Sequence, residues 1–172
     1  HEMMIPSGMG EELQRQREMC IDPYTRVANR SKELVPMEVK TVLTLEKSGK
    51  GLHVATTICN QAKDHRVRVV MPTGLNTSTH LADSAFEVVK RNNRHNDTWT
   101  NPCGCERQQC FAAMEDETNG LLVANRGLYE YEVLADEENA IAVTLLRSVA
   151  EMGDWGYFPT PKAQQIGTFT LE

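Results

Sequence analysis

The sequence predicts an all-β fold, an antiparallel β-sandwich with few or no helices. From Met37 to Leu45, apolar side chains alternate with Glu38 and Lys40, a period of two that places one set inside and the other outside a sheet. Short runs rich in β-branched residues recur as far as Leu171, and Asp, Asn, Gly and Pro separate them. Because no clear helix lies between these runs, a βαβ fold is not expected.

Strands are predicted, in chain order, at 37–45, 52–58, 66–71, 86–90, 110–114, 121–124, 128–134, 141–146 and 167–171. The turn Lys47–Lys50 joins the first two as a hairpin. Residues 31–172 are therefore expected to form the sandwich domain, and residues 1–30 a leader or linker of uncertain structure. Within that leader, Glu11–Glu18 favours either a short surface helix or disorder, because its helix-forming residues carry almost no apolar stripe.

Composition narrows the function classes. The 172 residues are 40% hydrophobic and 24% charged with a net charge of −6, which argues against a disordered chain and against non-specific nucleic-acid binding. No apolar run has the ~20 residues of a membrane-spanning helix, and no secretory signal is recognisable. The five cysteines are odd in number and three are crowded together, which favours reduced thiols and predicts a cytoplasmic protein.

The crowded cysteines are the first candidate for chemistry. Cys103, Cys105 and Cys110, with His95 nearby, offer ligands of the kind that zinc prefers. The C-x-C spacing and the shortage of a fourth ligand instead favour a loop with free thiols, so no metal is expected in this chain.

Two carboxylates form the second candidate. Glu130 and Glu132 lie two apart in a predicted strand, which puts them on one face about 6.6 Å apart. Glycosidases use carboxylates at comparable separations. Carboxylates on one face do not straddle a glycosidic bond unless a pocket opens above them. The preferred interpretation is therefore that Tyr129, Tyr131 and Val133 face the core and the glutamates face solvent or a neighbouring domain.

The triplet Asp64, His65 and Arg66 is the third candidate. Neighbouring residues on a strand point to opposite faces and no nucleophile accompanies them, so a catalytic triad is disfavoured. Charge-assisted hydrogen bonds would instead make these residues a structural or interdomain polar network.

Taken together, several segments resemble the C-terminal part of bacterial family 38 glycoside hydrolases, the α-mannosidase and mannosylglycerate hydrolase type. In order they cover most of residues 31–167: 39–45, 58–68, 82–91, 120–133, 142–149 and 160–164. The resemblance implies that the sandwich is part of a larger β-domain that follows an α/β barrel and a helical domain in the same chain. It also implies that the present sequence is a non-catalytic piece of such an enzyme.

The missing barrel would hold a divalent metal, usually zinc, and the nucleophile of a retaining mannosidase. Neither motif occurs in this sequence, so no catalytic residue and no cofactor are expected here. The expected partners are those missing domains, a mannoside substrate in the parent enzyme and a second copy of the chain. Binding to nucleic acid or to a membrane is not expected.

One pair is expected to approach the sugar. In distant relatives the sandwich sends an Asp/Asn-Arg pair toward the substrate, and Asn125-Arg126 resembles that pair. The alternative, equally favoured, is an ordinary turn arginine followed by Gly127, which would supply a positive φ.

Two other functions stay open: an autonomous carbohydrate-binding sandwich and a dimerisation domain. The first would use aromatic platforms, of which the sequence has few; Trp99 and Trp155 lie far apart along the chain.

Overall fold

The prediction of an all-β fold is confirmed. The computed structural model describes residues 1–21, 25–96, 98, 103–135, 138–152 and 158–172, and its strands form three antiparallel sheets of four strands each. The elements are β1 (Glu2–Pro6), α1 (Glu11–Glu18), β2 (Leu34–Thr44), β3 (His53–Asn60), β4 (Arg66–Met71), β5 (Thr79–Asp83), β6 (Val88–Asn92), β7 (Cys105–Arg107), β8 (Phe111–Glu115), β9 (Gly120–Ala124), β10 (Glu130–Leu134), β11 (Ala140–Arg147), a 3₁₀ helix (Pro161–Gln164) and β12 (Gly167–Leu171).

The chain divides into two compact units. The first, His1–Arg66 with Leu146–Glu172, contains one sheet of order β1-β2-β3-β12. The predicted β2–β3 hairpin is confirmed, with Thr44 opposite His53. β1 pairs with the first half of β2, Glu2 opposite Glu38, so residues 1–30 contribute a strand to this sheet.

The second unit, Val67–Leu145, contains two sheets of order β4-β11-β10-β7 and β6-β5-β8-β9. Residues from both sheets meet in one hydrophobic cluster: Leu75, Ala82, Ala112, Met114, Val123, Tyr131, Val133, Ile141 and Val143. Because side chains alternate between the two faces of each strand, every second residue points inward and contributes to this hydrophobic cluster, as in a sandwich whose inner faces interdigitate.

Three short strands are absent from the sequence-based prediction: β1, β5 and β7. β5 reads Thr-His-Leu-Ala-Asp, and its buried positions are His80 and Ala82 rather than large apolar residues. β7 has three residues, too few to show a period. Pairing with neighbouring strands, rather than intrinsic propensity, creates these elements.

The helix left open by the sequence does form. Leu13 and Gln16 are its buried residues, which explains why an apolar stripe is hardly visible. Among the described residues, no helix has the length and apolar character needed to cross a membrane.

Candidate functional site

An open cleft of about 770 Å³ lies in the second unit and is the candidate site. That volume falls within the range of roughly 300–1,000 Å³ usual for small-molecule sites. Its walls come from four places: the turn that follows β5, strand β6, strand β7, and the start of β10. The lining residues are Asp83, Ser84, Ala85, Arg91, Cys105, Glu106, Arg107, Gln108, Gln109, Tyr129 and Glu130.

Arg91 projects from β6 and is held in a fixed position. Its Nη1 donates to the carbonyl oxygen of Arg107 at 2.8 Å and to the phenolic oxygen of Tyr131 at 2.9 Å. The Glu106 carboxylate lies 3.5 Å from the same nitrogen. Because a guanidinium has five N–H donors in a rigid fork, these contacts orient the group and leave further donors.

Behind Arg91 runs a buried polar chain that links the two sheets. The hydroxyl of Tyr131, on β10, lies 2.8 Å from Nε2 of His80, on β5, and Nδ1 of His80 lies 3.0 Å from Oδ1 of Asn93. The Asn93 amide nitrogen donates to the Thr77 carbonyl, so its oxygen faces the histidine. His80 therefore carries its proton on Nδ1 and accepts the Tyr131 hydroxyl proton at Nε2.

The two titratable side chains of this hydrogen-bonded series, His80 and Tyr131, are held in their neutral forms. Burial lowers the pKa of His80, while the hydrogen bond to Asn93 and the Glu106 charge oppose that change. Burial raises the pKa of Tyr131, and Arg91 offsets part of the increase. The edge-on packing of the two rings, with centroids 5.5 Å apart, adds apolar contact to the hydrogen bond. A neutral, fully paired chain is the arrangement expected for polar groups enclosed in a core.

The loop that carries Asn125 and Arg126 is a tight turn between β9 and β10. The Asn125 side-chain oxygen accepts the Leu128 N–H at 3.1 Å, and the Asn125 N–H donates to the carbonyl of Cys110 at 2.8 Å. Gly127 has φ +81°, so the expected positive φ is found there. Asn125 thus builds the turn, whereas Arg126 is exposed at its tip.

Tyr129 is placed differently from the sequence-based expectation. It precedes β10 and is 63% exposed, whereas Tyr131 and Val133 face the core as expected. The reason is that the strand period starts only at Glu130; the Tyr129 carbonyl instead accepts the Gln108 N–H at 2.9 Å. Trp99 and Trp155 lie outside the described residues.

The two glutamates of β10 have separate partners. Glu130 accepts a hydrogen bond from the Thr144 hydroxyl at 2.7 Å, and Glu132 forms an ion pair with Arg68. Both are half-buried. Gly104 packs against the Glu132 side chain, since a Cβ at this position would lie 2.7 Å from Glu132 Oε1.

The five cysteines are in the thiol form and not in disulfides, with Cys103 and Cys110 exposed and Cys105 half-buried in β7. Within the part of the chain that the structure describes, no group of three or more His, Cys, Asp or Glu side chains could hold a metal ion.

The triplet Asp64, His65 and Arg66 lies at the end of the β3–β4 connection, in the first unit. Asp64 has φ +53° and exchanges two hydrogen bonds with the Gln164 side chain, at 2.9 and 3.0 Å. Arg17 lies 3.6 Å from the same carboxylate. Arg66 is exposed at the start of β4.

His65 is half-buried, with both ring nitrogens shielded from solvent. Burial lowers its pKa, while the Lys63 backbone and the Asp64 charge act in the opposite direction. Within the described residues, neither ring nitrogen of His65 forms a hydrogen bond of ordinary geometry. The Lys63 backbone nevertheless lies near the ring and acts to raise the pKa.

Sequence-based reasoning did not single out Arg91, which lines the cleft, or its supports Tyr131 and His80, which lie behind it. Arg91 falls outside the strand predicted at 86–90, because β6 lies two residues further along the chain, at Val88–Asn92. No local signal marks His80, because β5 has only five residues and its buried positions, His80 and Ala82, are too few to show a period.

The fold defines this chain as an all-β, antiparallel domain with a polar cleft on its second unit. It belongs to the glycosyl hydrolases family 38 C-terminal domain family, whose model matches residues 13–155. A protein of Halalkalibacterium halodurans named "Putative mannosylglycerate hydrolase" is 42% identical over 165 residues, which are 96% of this chain and 18% of that protein.

Solved structures of family 38 proteins are also similar to this chain. An α-mannosidase from Enterococcus faecalis is similar with a TM-score of 0.93 and 46% identity, over 99% of this chain and 19% of that one. A second E. faecalis protein, of glycosyl hydrolase family 38, gives 0.89 and 45% with the same coverage. The chain therefore spans about a fifth of the length of these relatives and matches one part of each.

Proposed function

We propose that this chain is the non-catalytic C-terminal domain of a retaining α-mannosidase-type glycoside hydrolase, where it supports the catalytic barrel and helps to wall the sugar site. The observation that carries the proposal is the match of nearly the whole chain to about a fifth of each relative. In this proposal the nucleophile and a divalent metal, zinc or a similar ion, belong to the remaining part of the parent enzyme. The five free thiols support a cytoplasmic location.

Arg126 is the residue proposed to reach the substrate. It is exposed on a turn whose backbone is fixed by Asn125 and Gly127, and it has no hydrogen bond or ion pair within the described residues. A guanidinium presented in this way can donate two parallel hydrogen bonds to neighbouring sugar hydroxyls. Because the backbone of the turn is fixed, the point from which the arginine side chain extends is set in advance, which lowers part of the entropic cost of reaching the substrate.

The test is the substitution Arg126→Ala in the full-length parent enzyme, assayed on an aryl α-mannoside. We expect kcat/KM to fall by about 10- to 100-fold, the loss of a charged hydrogen bond of roughly 1.5–3 kcal/mol, with the melting temperature unchanged. Lys47→Ala, which removes an exposed cation from the β2–β3 turn, is the matched control and should leave the kinetics unaltered. Unchanged kinetics in Arg126→Ala would remove the arginine from the sugar site.

The supporting role has its own test. Expression of the parent enzyme without residues 1–172 of this domain should give a barrel that is insoluble or inactive, and co-expression of the two parts should restore hydrolysis. Full activity of the barrel alone would contradict the supporting role.

A further inference from the structure

We propose that the 770 Å³ cleft of the second unit is itself a binding site for a neutral pyranose ring, with Tyr129 as its platform and Arg91 and Glu106 as its polar contacts. The site would be a property of this domain and would not require the barrel. It therefore goes beyond the proposed role of Arg126, which needs the active site of the parent enzyme.

The first argument is the exposed aromatic ring. Tyr129 is 63% exposed although it lines a cleft, and its backbone is fixed by the hydrogen bond from Gln108 to its carbonyl. An aromatic ring in this position offers a flat apolar face with a polar hydroxyl at its edge, and ordering it costs little conformational entropy. The apolar C–H face of a pyranose is complementary to such a platform.

The second argument is the balance of charge in the lining. The lining residues include two arginines, Arg91 and Arg107, and three acidic residues, Asp83, Glu106 and Glu130. A phosphate or sulfate would be repelled by the carboxylates, and a cation by the guanidinium groups. Sugar hydroxyls both donate and accept, so a lining with donors beside acceptors suits a neutral polyhydroxylated ligand best.

The third argument is preorganisation. Arg91 is fixed by the Arg107 carbonyl, the Tyr131 hydroxyl and Glu106, and Tyr131 is in turn fixed by His80, which is 3% exposed. An arginine that is held this firmly binds a hydroxyl pair without first losing rotamer freedom. Glu106 lies beside it and can accept from the neighbouring hydroxyl.

The experiment is a titration of the 172-residue chain with methyl α-D-mannopyranoside, followed by ¹H–¹⁵N NMR. We expect saturable shifts at the amides of Gln108, Tyr129 and Glu130, with a dissociation constant in about the millimolar range, as for other small contact areas. Sodium sulfate, titrated in the same way, should produce no saturable shift at these amides. The absence of saturation by the sugar, or saturation by sulfate instead, would overturn the proposal.

Variants identify the contacts. Tyr129→Ala, at an exposed position that does not threaten the fold, should weaken sugar binding by about tenfold, the loss of roughly 1.4 kcal/mol of ring contact. Phe86→Ala is the matched control: Phe86 is fully exposed but does not line the cleft, so its removal should leave binding unchanged. Undiminished binding in Tyr129→Ala would contradict the platform.

Arg91→Lys keeps the positive charge but loses the planar set of guanidinium N–H donors, so it should also weaken sugar binding. The NMR spectrum of the variant shows whether the fold is retained. Arg126→Ala separates the two proposals. In the isolated chain it should leave binding at the cleft unaltered, whereas in the parent enzyme it should lower kcat/KM. If Arg126→Ala abolished binding by the isolated chain, the sugar would lie at the β9–β10 turn and the cleft would be the wrong site.

Discussion

The two units of this domain are stabilised by different kinds of core. The second unit buries nine hydrophobic residues in one cluster between its two sheets. Among the described residues the first unit buries five hydrophobic side chains beside five polar ones, Gln16, Thr56, Asn60, Ser148 and Gln164, whereas the second buries four polar ones, His80, Asn93, Gln108 and Thr144, beside its larger hydrophobic cluster. Hydrophobic burial is non-directional, whereas hydrogen bonds require geometry. The second unit should therefore lose more stability than the first when core volume is removed, whereas hydrogen bonds make up a larger share of what holds the first unit together.

Asn60 shows how the polar core of the first unit works. Its side-chain amide donates to the carbonyls of Gln164 and Gln165, at 3.3 and 2.8 Å, and its oxygen accepts the Ala62 N–H at 3.1 Å. The Ser148 hydroxyl donates to the same Gln164 carbonyl at 2.8 Å. One buried side chain thus joins the end of β3 to the segment before β12.

The largest effect is expected from a cavity in the second unit. Ile141 is 0% exposed in β11, so Ile141→Ala should lower the free energy of unfolding by about 2–5 kcal/mol through lost transfer energy and a residual cavity. Urea unfolding followed by circular dichroism measures the change. Ile166→Ala, at a position 53% exposed, is the control and should cost much less. A loss below about 1 kcal/mol at Ile141 would mean that this core is loosely packed.

An intermediate effect is expected from the polar core of the first unit. Asn60→Ala removes little apolar volume but leaves the Ala62 N–H and the Gln165 carbonyl unpaired, which should cost about 1–3 kcal/mol. Asn92→Ala, at the exposed end of β6, is the matched control in the same urea experiment. If Asn60→Leu proved as stable as the original protein, apolar burial would suffice at this position and the contrast between the two cores would fail.

A smaller, pH-dependent effect is expected from His80. Its pKa is lowered in the folded state, so the unfolded chain binds the proton more readily; stability is fully present above a pH of about 6.5 and is lost as the pH falls below it. Arg91, Glu106, His95 and Tyr131 are the groups that face it. One such group contributes a slope of at most about 1.4 kcal/mol per pH unit.

The variant His80→Gln should flatten the pH dependence of the unfolding free energy between pH 7 and 5, although it destabilises the protein at neutral pH. His65→Gln is the counterpart in the first unit, because burial also lowers the pKa of His65. An unchanged slope in His80→Gln would show that the histidine is not held neutral by its burial.

The sequence predicted the part of the fold that apolar periodicity controls. Long strands such as β2, β3 and β11 carry the period in their own residues, and the resemblance to family 38 was specific because its segments follow in order. β5 and β7 were missed, since a strand of three to five residues with His80 or Cys105 inside has no period to read and forms through pairing.

The candidate site was harder to predict for a related reason. Arg91, Glu106 and Tyr129 are separated by up to 38 positions, on β6, on β7 and just before β10, and only the sheet topology brings them to one cleft. The sequence did indicate the Asn125–Gly127 turn, because a positive φ at glycine is a local property that needs no knowledge of distant contacts.

The smallest effect on stability is expected where the first unit exposes apolar side chains. Leu43 and Leu45, near the end of β2, are 62% and 72% exposed, so the double substitution Leu43→Ser and Leu45→Ser removes little buried area and should change the unfolding free energy by no more than about 0.5 kcal/mol. Exposed apolar groups beside a strand favour association between molecules, so the variant should also associate less at high concentration, as sedimentation velocity would measure. Ile58→Ser, at a position that is 0% exposed in β3, is the contrasting control and should be strongly destabilising. A large loss of stability from the Leu43 and Leu45 substitutions would show that the tip of the hairpin, and not only the polar network around Asn60, holds the first unit together.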